Sequence, residues 1–216
     1  MAIQKIMIKN SLCSWSGGKD SCFALMQAIQ QGYIPKVLLN VLNEEGKISR
    51  SHGIPYSILL AQATAAGLPV HCISSSWQEY EMHFTNALSL LKEQYNLTHA
   101  VFGDIDLQPH RDWEEKVCCN AGLTAVLPLW QHERRALVLQ MLEVGIETMI
   151  VSCNETMGEK FIGEIITPSL VNELYQSEIL FSPKCTVKNV AERAGRNYRL
   201  SGSLFSNLFN KFTKFI

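Results

Sequence analysis

Three clusters in this 216-residue chain have residue types and spacing suited to chemistry. The first is Ser14-Trp15-Ser16-Gly17-Gly18-Lys19-Asp20-Ser21. Paired glycines let a backbone turn sharply and present its N–H groups. The β-prone run from Ser11 to Trp15 leads in, and Cys22, Phe23, Leu25, Met26 and Ile29 follow at helical spacing. A helix start carries unpaired N–H donors and partial positive charge. Asp20 or Ser21 is placed to cap it, and Lys19 adds a full charge. Strand, glycine turn and helix start together predict an anion site, most naturally for phosphate. A Walker A loop is excluded, because Cys13 and Asp20 stand where it needs Gly and Ser or Thr. The dinucleotide fingerprint G-x-G-x-x-G fails for want of its third Gly.

The second cluster is Arg50-Ser51-His52-Gly53-Ile54. Its guanidinium and imidazole suit phosphate or carboxylate contacts, while the plainer reading is a polar surface loop. The third is Gly103-Asp104-Ile105-Asp106, with His110, Arg111, Asp112, Trp113 and Glu114 beyond it. Gly103 allows close backbone approach. Asp104 and Asp106 are spaced to point the same way from an extended segment. Such a pair can hold Mg²⁺ beside phosphate, position a substrate amine, or accept a proton. The competing reading makes them turn residues, with Asp112 a helix cap.

These clusters need a scaffold. Ile34 to Leu42, Val70 to Ile73, Ala100 to Gly103, Ala125 to Leu127 and Thr148 to Ser152 read as further strands. Helices are expected after the glycine turn to Gln31, then over Pro55–Ala66, Trp77 to about Tyr95, Arg111–Ala121 and Glu133–Val144. Alternating strands and helices, with continuously apolar strands, predict an α/β fold: a parallel sheet of about five or six strands covered on both faces. Ligands bind such sheets at the C-terminal ends of the strands. All three clusters fall there.

Composition narrows the class. A hydrophobic fraction of 47% and a charged fraction of 18% suit a chain with a real core. No apolar run approaches the ~20 residues of a membrane span, and the first ten residues lack a signal-peptide pattern. Seven cysteines without C-x-x-C argue for a reducing, cytoplasmic setting and against a structural zinc or a sulfur relay. Cys13, Cys22, Cys72 and Cys153 lie in apolar runs and read as core, as does Trp15. Arg134 and Arg135 read as a solvated face. Residues 181–216 carry seven basic residues and one acid, with Tyr198, Phe205, Phe209, Phe212 and Phe215 among them. The rest is mildly acidic, so a general nucleic-acid surface is not expected.

The octet resembles the S-G-G-x-D-S signature of PP-loop ATP pyrophosphatases. Together with SHGIP, AQATAAGLPV, VFGDIDLQPHRDW and LPLWQHERRALVLQMLEVGIETMIVSC, it resembles the diphthine–ammonia ligase family of N-type PP-loop enzymes. The likeness runs from about residue 10 to about 175, through MGEKFIGEIITPSLVNEL. The family's glycine-rich G-E-[GN]-G-E-[FY]-x-T block is absent. The resemblance implies a Rossmann-like PP-loop/HUP domain over residues 1–155, a partial substrate-side subdomain over 156–180 and a divergent basic aromatic tail over 181–216. It implies ATP and Mg²⁺ as cofactors. Ser14, Ser16, Gly17, Gly18, Lys19, Asp20, Ser21, His52 and Gly103 would bind ATP, and Lys19, Asp104 and Asp106 would be catalytic, the two aspartates also as Mg²⁺ ligands. Its chemistry is adenylation of a carboxylate, that of diphthine on a translation elongation factor in members of assigned function, followed by ammonia displacing AMP. The partners are then a small-molecule or protein carboxylate and ammonia, with no membrane, and with a homo-oligomer left open. Two other readings stay open: a different acceptor, as in tRNA modification, and nucleotide binding without catalysis.

Overall fold

The structure, a computed structural model, describes residues 8–151 and 159–176. Strands β1 (Asn10–Ser14), β2 (Ile34–Leu42), β3 (Val70–Ser74), β4 (His99–Val101) and β5 (Thr124–Val126) form one sheet. Their order is β3-β2-β1-β4-β5 and every pairing is parallel. Helices α1 (Lys19–Gln30), α2 (Tyr56–Ala66), α3 (Tyr80–Tyr95), α4 (Gln108–Asn120), α5 (Arg134–Glu143) and α6 (Pro168–Gln176) complete the order. The fold is the Rossmann-like PP-loop/HUP architecture. Among the described residues, no helix is long and apolar enough to cross a membrane.

The continuous apolar strands are explained by cover on both faces. Leu12, Val37, Leu39 and Val41 pack with Phe84, Leu88, Val117 and Cys118 of α3 and α4. Cys13, Leu38 and Leu42, alternating with them, pack with Phe23 of α1, Leu59 of α2, and Leu137 and Met141 of α5. Asn40 is the buried polar residue of β2, 3% exposed. The β1–β2 register shifts between Ser11 and Leu12, opposite Pro35, which has no N–H for the ladder.

Two helix starts differ from expectation. Helix α4 begins three residues early because Pro109 sits in its first turn, where a missing N–H is harmless. Helix α3 begins at Tyr80 rather than Trp77. Ser76 Oγ accepts from Glu79 N at 3.2 Å and donates to the Glu79 carboxylate at 2.9 Å, holding the intervening residues in a turn. The sixth strand expected over Thr148–Ser152 is not part of the sheet. Within the described residues of that run, Met149 forms only an isolated antiparallel bridge with Ile165. Ile150 instead joins Phe161 and Leu174 in a small separate cluster. Of the expected subdomain at 156–180, residues 159–176 are described and include α6. The basic tail at 181–216 and Cys153 lie outside the described residues.

Chain direction makes the cleft. From β1 the chain crosses to β2 on one side, and it returns after β3 to place β4 on the other. The switch point therefore lies between β1 and β4, the usual place for a ligand in such sheets.

Candidate active site

The glycine turn is a backbone cradle. Gly17 has φ of 83°, in the region that favours glycine. Gly18 is the N-cap of α1 and no side chain caps the helix. The expected cap by Asp20 or Ser21 is therefore corrected. Ser21 Oγ donates back to Gly18 O at 3.0 Å, and the Asp20 carboxylate takes Lys19 Nζ at 2.8 Å. First-turn N–H groups have no intrahelical partner, so this arrangement keeps them for a ligand. Ser16 Oγ accepts from Gly18 N at 3.3 Å and lies 3.1 Å from Ser21 Oγ. Ser14 ends β1 just before the turn.

Side chains from β2 and α2 hold the cradle from behind. Asn40 Nδ2 donates to Trp15 O at 2.6 Å, and Ser49 Oγ to Ser16 O at 3.3 Å. Gln62 Nε2 donates to Gly17 O at 3.0 Å while its Oε1 accepts from Trp15 Nε1 at 3.0 Å. Trp15 is 3% exposed, a core residue as its surroundings suggested.

Three strand-end loops converge here. His52 Nε2 lies 3.2 Å from Ser16 Oγ, and a β-carbon on Gly18 would stand 2.6 Å from that nitrogen. From the other side, a β-carbon on Gly103 would stand 2.8 Å from Ser21 N and 2.9 Å from the Asp20 carbonyl carbon. Only glycine permits that approach. Arg50 Nε donates to Ser75 O at 3.0 Å, and its guanidinium lies 4.7 Å from the centre of the exposed Trp77 ring. The loop after β3 thus joins the same rim.

Asp104 and Asp106 take different partners. Asp104 Oδ1 meets His110 Nδ1 at 2.7 Å. Asp106 receives Arg134 Nε at 2.7 Å and Nη2 at 2.6 Å. Those hydrogen bonds hold the Asp106 carboxyl below the usual carboxylate range. Arg134 and Arg135 are accordingly more than a solvated face, since Arg135 Nη2 donates to Asn172 Oδ1 at 2.7 Å and lies over Tyr175. Asp112 is not a cap either. Leu107 is the N-cap of α4, and Asp112 accepts from Gln108 Nε2 at 2.6 Å. Among the described residues, no three His, Cys, Asp or Glu side chains group as a metal site.

Glu114 stands in the third cluster of the sequence, but nothing there assigns it a role of its own. It is 3% exposed, and its Oε2 has no hydrogen-bond partner. Burial, then the hydrogen bond and charge of Asp104, push its carboxyl up to about 10. The sequence signal for its burial is its place three and four residues before the buried Val117 and Cys118 on one helix stripe. Tyr80 lies near Arg50, Asp104 and Glu114, and burial pushes its phenol up to about 12. Cys13 and Cys22 are buried beside the cradle. Burial raises both thiols, Cys22 to about 12, so neither is a thiolate nucleophile.

A parallel sheet whose first strand enters an uncapped, glycine-built turn fits the class: the PP-loop ATP pyrophosphatase and amide-ligase superfamily. Residues 9–125 match the Diphthamide synthase N-terminal domain, and the chain belongs to that family. It is 26% identical over 156 residues to the diphthine–ammonia ligase of Mus musculus, a match covering 63% of this chain and 58% of that protein. The Homo sapiens diphthine–ammonia ligase gives the same figures, and that of Danio rerio is 23% identical over 63% of this chain and 61% of its own length. The chain thus spans less than two thirds of these relatives. In structure it is similar to a predicted tRNA methyltransferase subunit from Methanocaldococcus jannaschii, with TM-score 0.45 and 18% identity over 65% of this chain and 80% of that one.

Proposed function

We propose that the chain is an ATP-dependent amide-forming ligase working through an acyl-adenylate, with a diphthine-type carboxylate as acceptor and ammonia as nitrogen donor. The observation that carries the reading is the seating of Gly103 on the first turn of α1. It sets the carboxylate-bearing loop after β4 directly beside the cradle.

In this reading Gly18, Lys19 and the first-turn N–H groups bind the β,γ-phosphates. Lys19 exchanges Asp20 for phosphate oxygen and stabilises the charge that develops on the leaving pyrophosphate. His52 and Ser16 close the cradle from the β2 side. Mg²⁺, which neutralises phosphate charge when bound, would rest chiefly on phosphate oxygens and water, as its coordination preference allows. Asp104 and Asp106 then serve the nucleophile side rather than the metal, because each already holds a nitrogen partner. Sulfur transfer to tRNA is disfavoured by the buried, high-pKa thiols beside the cradle.

The test is product analysis. With ATP, Mg²⁺, ammonium and elongation factor carrying diphthine, the protein should release AMP and pyrophosphate in step with amide formation. Release of ADP, or an acceptor that stays unmodified, would overturn the reading.

A further inference from the structure

We propose that His110 is the base of the amide-forming step, with Asp104 and Glu114 as positioning residues behind it; this rests on the ligase reading above. When the nitrogen attacks the acyl-adenylate, a C–N bond forms. The bond from the carbonyl carbon to the AMP oxygen breaks, and its electron pair leaves on AMP. The proton shed by nitrogen goes to His110 Nε2 and from there to water.

Placement comes first. Asp104 directly follows Gly103, whose backbone touches the start of α1, so its partner His110 stands at the edge of the phosphate cradle. The His110 side chain is 59% exposed, open to an incoming molecule. The 2.7 Å contact also selects the tautomer. A carboxylate has no proton to give, so Nδ1–H donates to Asp104 Oδ1 and the lone pair is left on Nε2. An imidazole oriented through one nitrogen by a carboxylate is the arrangement a general base requires.

The support behind Asp104 is built rather than incidental. His110 and Glu114 lie four residues apart on α4, hence on one face; His110 meets Asp104 directly, and Glu114 lies close enough to feel its charge. Glu114 is buried, with one oxygen unpartnered. A second charge there, against Asp104, would be expensive. Burial holds the Glu114 carboxyl above the usual carboxylate range, so it backs Asp104 without setting a full second charge against it.

Nitrogen-15 NMR of the full chain, with the His110 ring assigned by its loss in His110→Gln, reads the tautomer directly. The expected result is Nδ1–H in the wild type and the commoner Nε2–H in Asp104→Asn; Nε2–H in the wild type overturns the proposal. In turnover with diphthine-bearing elongation factor, ATP and Mg²⁺, His110→Gln should lower kcat with ammonia by about 100-fold or more. The loss should be much smaller with hydroxylamine, whose nitrogen sheds its proton readily to water. Equal losses with both nucleophiles, or none, overturn the assignment. Glu114→Gln keeps the shape and polarity behind Asp104 and should keep the tautomer and most of kcat, whereas Glu114→Leu should lose both. A wild type that releases no AMP overturns the ligase reading itself, an outcome distinct from an active wild type with an equally active His110→Gln.

Discussion

Gly103 and Ser21 meet backbone to backbone: a β-carbon on Gly103 would stand 2.8 Å from Ser21 N, closer than atoms of that kind approach. The neighbours are main chain and cannot rotate away. Gly103→Ala should therefore push the loop after β4 off the cradle, lowering stability by about 1–3 kcal/mol, the usual range for overpacking. ATP affinity should fall with it. Calorimetry showing wild-type affinity in the folded variant would sever Gly103 from the site.

Gly18 is crowded differently, by the movable ring of His52 at 2.6 Å. Gly18→Ala should displace that ring, and Gly18→Val should abolish ATP binding. In a His52→Ala background the penalty of Gly18→Ala should shrink. Additive losses in the double-mutant cycle would show that the ring and the glycine do not share the site.

Lys19 presently spends its charge on Asp20, at 2.8 Å. Both side chains are partly exposed, so this local pair adds little to stability. Its removal should show in binding. Lys19→Ala should leave the melting temperature nearly unchanged and weaken ATP by roughly 10- to 100-fold, the ~1.5–3 kcal/mol typical of a charged hydrogen bond. An unaltered dissociation constant would remove Lys19 from the phosphate site.

Local signals made the fold and cradle readable. Apolar strands, glycine stops and the S-G-G-K-D-S octet are each contained within about ten residues, and they place β1, α1 and β2 to within a few positions. What escaped depends on pairs distant in sequence. Arg134 looks like a surface charge until the fold brings it 28 residues back to Asp106. Asn40 looks like an interruption in β2 until it holds Trp15 O. Glu114 reads as one more acid on a polar helix until the packing of α4 buries it. The expected strand at Thr148–Ser152 had the right composition, but in its described residues Met149 pairs with Ile165, distant in sequence, rather than with an edge strand of the sheet.

The Asp106–Arg134 pair should be a modest clamp. Its side chains are 43% and 35% exposed, so screening limits its worth to about 0.2–1 kcal/mol. Arg134 holds the folded-state Asp106 carboxyl low. The contribution is therefore present above the ordinary carboxylate pKa and lost as pH falls through the lowered folded value. Asp106→Asn should flatten that acid limb slightly and reduce the salt dependence of the urea midpoint. Identical acid limbs in variant and wild type would make the pair energetically silent.

Glu114 should give the opposite and larger pH signature. Its folded-state carboxyl sits at about 10 against an ordinary value of 4.5. Between those values the native protein holds a proton that the unfolded chain has released. Stability therefore falls as pH rises across this window, and the loss attributable to Glu114 is absent below its lower edge. Glutamine keeps the shape but cannot ionise in the unfolded chain. Glu114→Gln should thus match the wild type near pH 4.5 and become progressively more stable than it toward pH 9, read as a widening gap between urea midpoints. The raised thiol of Cys72 titrates in both proteins, so it cancels in the difference. Asp104 is coupled to Glu114, so the step belongs to the pair rather than to either carboxyl alone. Parallel stability curves from pH 5 to pH 9 would mean that Glu114 is ionised in the folded protein and that its burial does not raise its carboxyl.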